Sequence, residues 1–156
     1  MTQYVVDTCV LSDAVKHARD GTWRHPMLRA RLLAILAEQD LCVSVVSLYE
    51  LRRGLLAGQV GARRRAELTR LLEGATSIDM GWSYEPTWAK AAELFAAVPG
   101  GHGDADIFIA ATAITLGRVL LASDRGLAAF LVSAGSGPAV EFLAPDDPPP
   151  GGPGPE

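Results

Sequence analysis

The sequence is poor in cysteine and has no long apolar run, and both absences narrow the class of protein. Its two cysteines, Cys9 and Cys42, have neither CxxC nor metal-ligand spacing, so neither a disulfide scaffold nor a zinc site is indicated. Both lie beside apolar runs, and we expect them to be small core residues. No apolar run approaches the roughly 20 residues that cross a bilayer, and Asp7 interrupts the apolar start. We therefore expect no membrane span, no signal peptide and a location in the reducing cytoplasm.

The composition predicts one globular domain with a tail. The chain has 156 residues, of which 49% are hydrophobic and 21% charged, which is enough for a single sizeable core. The last twelve residues differ, because six are proline and three are glycine. Such a segment can bury almost nothing. We therefore expect a domain over residues 1–144 and a disordered or extended tail over residues 145–156.

Charge is distributed unevenly along the chain, although the net charge is only -4. Residues 52–70 contain six arginines and one acid, whereas residues 71–156 contain three basic residues and eleven acids. A basic segment beside an acidic pocket suits a metal-dependent enzyme that acts on a polyanion. The alternative is that the arginines solvate the outer face of a helix.

Apolar segments predict an alternation of strands and helices. The predicted strands cover residues 3–7, 41–46, 76–80, 118–122 and 140–143. Apolar residues at helical spacing predict helices after Thr8, over residues 27–37, 47–55, 62–72 and 88–95, and after Asp104 and Asp124. The strands are continuous apolar runs, which is typical of a parallel sheet covered on both faces, and so we predict an α/β layered fold.

Four acids are expected to meet at one edge of this sheet. Asp7 and Asp124 end strands, and Glu50 and Asp106 lie in the first turns of helices. Ligands of open α/β sheets bind outside the carboxyl ends of the strands. Clustered carboxylates cost free energy unless an ion neutralises them, and oxygen ligands suit Mg²⁺ or Mn²⁺. Three other acids lie off this edge in the predicted order of elements, namely Asp13, Asp20 and Asp79.

Each of these acids also has a purely structural interpretation. Ser47-x-x-Glu50 matches a capping box, in which Glu50 reaches back to a backbone N–H. Asp104 and Asp124 are good helix caps. Asp7 could end its strand by binding nearby N–H groups.

Four segments, at residues 5–12, 43–54, 106–113 and 120–124, carry a resemblance to a known family. In order and spacing they resemble PIN-domain ribonucleases, in particular the VapC-type toxins of bacterial and archaeal toxin–antitoxin pairs, over about residues 4–142. The resemblance implies a PIN-like three-layer fold with a short, mostly parallel sheet and helices on both faces. It also implies an Mg²⁺- or Mn²⁺-dependent endoribonuclease.

The resemblance assigns roles to individual acids. It implies that four acids form the catalytic, metal-binding cluster, namely Asp7, Glu50, Asp106 and Asp124. We expect the metal to be held mostly through Asp7 and Asp106. Thr8 matches the hydroxyl residue that usually follows the first acid.

Three positions depart from the family pattern. Cys9 stands where asparagine is common, and Ala122 where threonine is common, so that Ser123 is the expected source of a hydroxyl near the metal. Asp104 is an extra acid two residues before Asp106. It could be a second metal contact or a helix cap that supports the site, and we favour the cap.

The implied partners are an RNA substrate, a cognate antitoxin protein that inserts a segment into the active-site groove, and a second copy in a homodimer. Five arginines are expected to contact either the RNA backbone or an acidic partner, and RNA binding through them would depend strongly on salt. These are Arg52, Arg53, Arg63, Arg64 and Arg65.

Two other functions remain open. An aspartyl-nucleophile phosphohydrolase usually needs a second acid two residues after the first, where this chain has Cys9. A non-catalytic α/β binding domain would use its acids as caps, and neutralising Asp106 would then leave metal affinity unchanged.

Overall fold

The computed structural model describes residues 1–38, 40–58, 60–75, 77–79, 85–135 and 137–145, and contains one five-stranded sheet. The strands are β1 (Gln3–Val6), β2 (Asp40–Ser44), β3 (Ser77–Asp79), β4 (Val119–Ala122) and β5 (Val140–Phe142). The helices are α1 (Thr8–Ala14), α2 (Pro26–Glu38), α3 (Val45–Leu56), α4 (Ala62–Glu73), α5 (Glu85–Ala97), α6 (Asp104–Leu116) and α7 (Arg125–Ala134).

The strands lie in the order β3-β2-β1-β4-β5, and all four neighbouring pairs are parallel. β1 is central, and its last residue, Val6, is in register with Val43 of β2 and Leu121 of β4. The carboxyl ends of all five strands therefore lie at one edge of the sheet. The predicted α/β fold with a short parallel sheet is confirmed.

The sheet is buried on both faces. On one face Val6, Val43 and Leu121 pack in a core with helices α1, α2 and α4. On the other face Val5 and Leu120 pack in a second core with α5, α6 and α7. Successive strand residues thus point into different cores, which explains why the strands are continuous apolar runs. The predicted three layers are confirmed.

The second strand is shorter than the apolar run predicts. It ends at Ser44, whose Oγ accepts a hydrogen bond of 3.2 Å from the backbone N–H of Val46 and so caps α3. Ser47 is consequently a buried residue inside the helix and not its cap. The interpretation of Glu50 as half of a capping box is therefore wrong.

Helix α6 begins one residue earlier than a cap at Asp104 would require. Gly103 occupies the cap position, and Asp104 is the first helical residue, with no side-chain cap hydrogen bond at this end. The expectation that Asp104 is a helix cap is therefore wrong, although an acid in the first turn still interacts favourably with the helix dipole. At the other end, Gly117 adopts the left-handed conformation (φ 63°) and ends the helix.

The cysteines differ in exposure. Cys42 is buried in the sheet, as expected, whereas Cys9 is exposed. Cys9 is the second residue of α1, and Val10 and Leu11 take the core positions of that helix. The expectation that Cys9 is a core residue is therefore wrong.

The predicted tail lies outside the described residues apart from Pro145.

Asp79 ends β3, and its backbone pairs with Ser44. The backbone of Asp79 therefore lies at the carboxyl edge of the sheet, contrary to expectation. Among the helices that the structure describes, none combines the length and the apolarity needed to span a bilayer.

Candidate active site

Asp7 lies at the centre of the carboxyl edge. Its backbone N–H continues the sheet by donating to the carbonyl of Leu121 (2.9 Å), and it occupies the cap position of α1. Its side chain makes no cap hydrogen bond, however. The residue is 0% exposed, and neither carboxylate oxygen has a hydrogen-bond partner in the described part of the chain. A buried carboxylate without a partner is costly, which argues against a purely structural role.

The electrostatics of Asp7 show that the other acids are close to it. Burial raises the pKa of Asp7 to about 7, and the charge of Asp106 is the next largest cause. Asp124 and Glu50 raise it further, whereas the backbone N–H of Thr8 opposes the shift without forming a well-aligned hydrogen bond. The charges of all three other predicted acids thus act on Asp7, and those of Glu50 and Asp124 also act on Asp106.

Glu50 projects from the second turn of α3 and is held by α1. Thr8 Oγ1 donates a hydrogen bond of 2.6 Å to Glu50 Oε2. This contact leaves Oε1 available for another ligand, and it explains why a hydroxyl directly after Asp7 is useful.

Asp106 is in the first turn of α6, and its pKa is raised mainly by burial and then by the charges of Glu50 and Asp124. His102 opposes this shift, because its Nε2 lies 2.8 Å from Asp106 Oδ2. That contact has the distance of an ion pair but not the alignment of a hydrogen bond.

The two carboxylate oxygens of Asp124 make different contacts. Its Oδ1 accepts hydrogen bonds from the backbone N–H groups of Gly126 (2.7 Å) and Leu127 (3.3 Å), so it caps α7 as the structural interpretation suggested. Its Oδ2 lies 3.6 Å from His102 Nε2. The cap therefore fixes the carboxylate with one oxygen directed toward the cluster.

His102 is a member of the cluster that the sequence interpretation missed. Ligand atoms of His102, Asp106 and Asp124 all lie within 4.8 Å of one another. The sequence interpretation assigned no role to this histidine. His102 lies in the loop before α6, so no helical spacing in the sequence links it to Asp106.

Ser123 is joined to α1 by its side chain. Its Oγ donates to Asp13 Oδ2 (3.2 Å), and Asp13 also binds Lys16. The proton of the Ser123 hydroxyl is thus engaged by Asp13, an acid that the sequence interpretation had placed off the edge. Cys9 is exposed, yet desolvation by neighbouring protein atoms and the charge of Asp7 raise the pKa of its thiol to about 12.

The five arginines differ in their surroundings. Arg52, Arg53 and Arg65 are exposed, and Arg63 donates to the carbonyl of Gly21 (3.3 Å). Arg64 is half-buried and donates to Ser12 Oγ (2.8 Å). It lines a recess of about 250 Å³ together with Thr8, Ser12, Val15, Glu50, Leu51, Gly54, Val60 and Leu68. Arg64 is thus the arginine of this group that shares a recess with Glu50.

The residues of the cluster fit a divalent cation. Asp7 offers two buried oxygens without partners, and Glu50, Asp106 and Asp124 add oxygens whose mutual repulsion a cation would offset.

Solved structures with the same fold include two toxin–antitoxin proteins. VapBC2 from Rickettsia felis, bound to a DNA fragment from its promoter, shares 16% identity at a TM-score of 0.67 and covers 91% of this chain and 99% of its own. FitAcB from Neisseria gonorrhoeae shares 23% identity at a TM-score of 0.61, over 88% and 96%. A domain of a functionally unknown protein from Methanocaldococcus jannaschii shares 22% at a TM-score of 0.60, over 95% of each chain.

No curated protein matches the chain. The family model of the PIN domain does match, over residues 4–130. This range contains β1 to β4, all four acids and His102. The chain belongs to the PIN-domain family.

Proposed function

We propose that this protein is a metal-dependent endoribonuclease and the toxin of a toxin–antitoxin pair. The observation that carries the proposal is Asp7, a fully buried carboxylate without a hydrogen-bond partner in the described chain, whose pKa burial and Asp106 raise to about 7. A cation beside this carboxyl group would favour its ionised form. Membership of the PIN family supports a nuclease as the enzyme built on this site.

The acids would hold Mg²⁺ or Mn²⁺ through Asp7 and Asp106, with Glu50 and Asp124 completing and orienting the set. A divalent cation supplies such a site with activation of water at neutral pH and with charge stabilisation at a phosphodiester. Thr8 fixes the rotamer of Glu50, and the N-terminus of α7 fixes that of Asp124. These contacts orient the carboxylates before substrate arrives, which is how a site avoids the cost of reorganisation.

The exposed arginines would contact the RNA backbone. Arg52, Arg53 and Arg65 are exposed, and Arg63 and Arg64 lie on the same helix as Arg65. Each phosphate contact that such residues make steepens the salt dependence of binding. Arg64 is the best placed of the five for a phosphate near the scissile bond, because it shares a recess with Glu50.

We further propose an antitoxin protein as partner, a homodimer as the assembly and the cytoplasm as the location. The support for an antitoxin is the fold likeness to VapBC2 and FitAcB. If the antitoxin inserts a positively charged side chain into the acidic cluster, that charge would offset the repulsion between the carboxylates, as a metal ion would.

The test is cleavage of total cellular RNA by purified protein, freed of any bound partner. Reactions would contain Mg²⁺ or Mn²⁺, or EDTA, and would compare wild type with Asp106→Asn and with Asp20→Asn as the matched control. Asp20 is an acid bonded only to the local Thr22. We expect discrete fragments that need metal, vanish in Asp106→Asn and persist in Asp20→Asn. Cleavage that persists in Asp106→Asn, or no cleavage under any condition, would contradict the proposal.

A further inference from the structure

We infer that His102 is a nitrogen ligand of the metal site, and that it makes the site prefer a first-row transition-metal ion such as Mn²⁺ to Mg²⁺. The inference rests on the metal site proposed above and extends it to a ligand and to a metal preference.

The two contacts of His102 with carboxylates are compatible with ligands of one ion. Two ligands that each lie about 2.1 Å from an ion are about 3.0 Å apart at right angles and about 4.2 Å apart when opposite. His102 Nε2 lies 2.8 Å from Asp106 Oδ2 and 3.6 Å from Asp124 Oδ2, and the ligand atoms of the three residues lie within 4.8 Å of one another.

Nε2 of His102 is buried, and its 2.8 Å contact with Asp106 Oδ2 is not aligned as a hydrogen bond. In the described chain the two oxygens of Asp7, at the same edge of the sheet, have no hydrogen-bond partner. An ion between these groups would give the nitrogen and the carboxylate oxygens a common partner.

Packing holds the imidazole in place. Its ring stacks on that of Phe130, with centroids 5.8 Å apart and planes inclined by 26°. On another side it adjoins Gly126, where an added Cβ would lie 3.5 Å from His102 Cε1 and 3.1 Å from Asp124 Oδ1. The side chain is only 15% exposed. An orientation fixed by packing is what a metal ligand needs.

The chemistry of imidazole sets the metal preference. Mg²⁺ takes oxygen ligands almost exclusively, whereas first-row transition metals accept imidazole nitrogen. A site with one nitrogen among carboxylates therefore discriminates against Mg²⁺. The competing explanation is that His102 is a protonated counter-ion of Asp106, which would compete with any metal.

The two explanations predict opposite changes in affinity. Removing a ligand lowers Mn²⁺ affinity, whereas removing a competing cation raises the affinity for both metals. Binding of Mn²⁺ and of Mg²⁺ would be titrated calorimetrically with tag-free full chain, using wild type, His102→Gln and His102→Ala. His17→Gln is the matched control, because His17 packs against Trp23 and is no member of the cluster. Pulsed EPR of bound Mn²⁺ would detect imidazole nitrogen directly.

We expect His102→Gln to lower Mn²⁺ affinity at least about tenfold and Mg²⁺ affinity less than about threefold. We also expect the nitrogen coupling to disappear in both His102 variants and to persist in His17→Gln. Thermal unfolding without metal identifies any variant that fails to fold. Equal or higher affinity for both metals in His102→Gln, or wild-type Mn²⁺ without nitrogen coupling, would overturn the inference. Nitrogen-ligated Mn²⁺ in a protein that cleaves no RNA would support the inference and contradict the nuclease.

Discussion

Thr8 Oγ1 donates a hydrogen bond of 2.6 Å to Glu50 Oε2, and this contact joins the first residue of α1 to α3. Thr8 directly follows Asp7. One short segment therefore supplies one acid of the cluster, Asp7, and the hydroxyl that orients another, Glu50. The contact spans 42 residues of sequence. It shows how the parallel sheet turns acids from distant segments into one site.

Removing this hydroxyl should weaken metal binding. In Thr8→Val, Glu50 loses its donor and gains rotamer freedom, and we expect the affinity for Mn²⁺ to fall about tenfold, as is usual when a residue that orients a ligand is lost. Thr8→Ser keeps the hydroxyl and should restore most of the affinity. The measurement is calorimetric titration of all three proteins. Equal affinities in wild type and Thr8→Val would show that Glu50 needs no such support.

The raised pKa of Asp7 should make the metal-free protein less stable as the pH rises. Between its usual value of 3.8 and about 7, the folded state keeps a proton on Asp7 that the unfolded state has released. The free energy of unfolding therefore falls through this window, by an amount on the order of 4 kcal/mol from this group. Denaturant unfolding in EDTA from pH 4 to 8 measures it.

Asp7→Asn is the control for this pH dependence. The variant carries no titrating group at position 7, so we expect a flatter profile and a higher metal-free stability than wild type at pH 7. Adding Mn²⁺ at pH 7 should stabilise wild type and leave Asp7→Asn nearly unchanged. Parallel pH profiles for the two proteins would contradict the burial and repulsion assigned to Asp7.

Replacement of glycine by alanine should lower metal affinity at position 126 and raise the free energy of unfolding at position 54. At Gly126 an added Cβ would lie 3.1 Å from Asp124 Oδ1, so Gly126→Ala should displace the cap and lower metal affinity several-fold. At Gly54, inside α3, an added Cβ has no heavy atom within 4 Å. Gly54→Ala should therefore raise the free energy of unfolding by about 1 kcal/mol through helix propensity. Metal titration and denaturant unfolding measure the two effects, and a stabilising Gly126→Ala would contradict the packing described.

An ion pair remote from the cluster ties strand β5 to α2. Arg31 binds both oxygens of Glu141, at 2.7 and 3.1 Å, and Tyr4 donates to the same carboxylate at 2.9 Å. The hydrogen bond from Arg31 is the largest cause of the lowered pKa of Glu141. Its stabilising contribution is thus complete above the usual value of 4.5 and is lost as the pH falls through the lowered pKa.

Glu141→Gln should lower the free energy of unfolding by about 1 kcal/mol at pH 7. The effect is no larger because Arg31 is partly exposed and solvent screens the pair. The difference from wild type should shrink at pH 3, and RNA cleavage should be unchanged. Glu93→Gln, which breaks an exposed pair with Lys90, is the matched control and should cost less. Denaturant unfolding at both pH values checks this, and a difference that grew at low pH would contradict it.

The fold was largely predictable because its strands are buried on both faces and its helices have clear apolar spacing. The position of Asp7 could be predicted for the same reason, since a carboxylate that ends a central parallel strand must lie at the ligand edge. The errors arose at helix ends. Val45 and Val46 extend the apolar run of β2, and only the local hydrogen bond from Val46 to Ser44 shows that the helix has already begun.

The remaining site residues depended on tertiary contacts that no local pattern contains. Asp124 is both a cap and a cluster member, and sequence alone treats these roles as alternatives. Ser123 donates to Asp13 across 110 residues, so the partner of its hydroxyl is set by tertiary packing. His102 lies in a loop before α6 and reaches Asp124 only after α7 packs beside it.

The metal site can be observed by diffraction from crystals grown with Mn²⁺, measured at a wavelength where manganese scatters anomalously. We expect an anomalous peak at the carboxyl edge of the sheet, within ligand distance of Asp7 and Asp106. The same peak should be absent from crystals of Asp7→Asn grown under the same conditions. A wild-type crystal with no peak at this edge, or with manganese bound only elsewhere on the surface, would contradict the four-acid metal site.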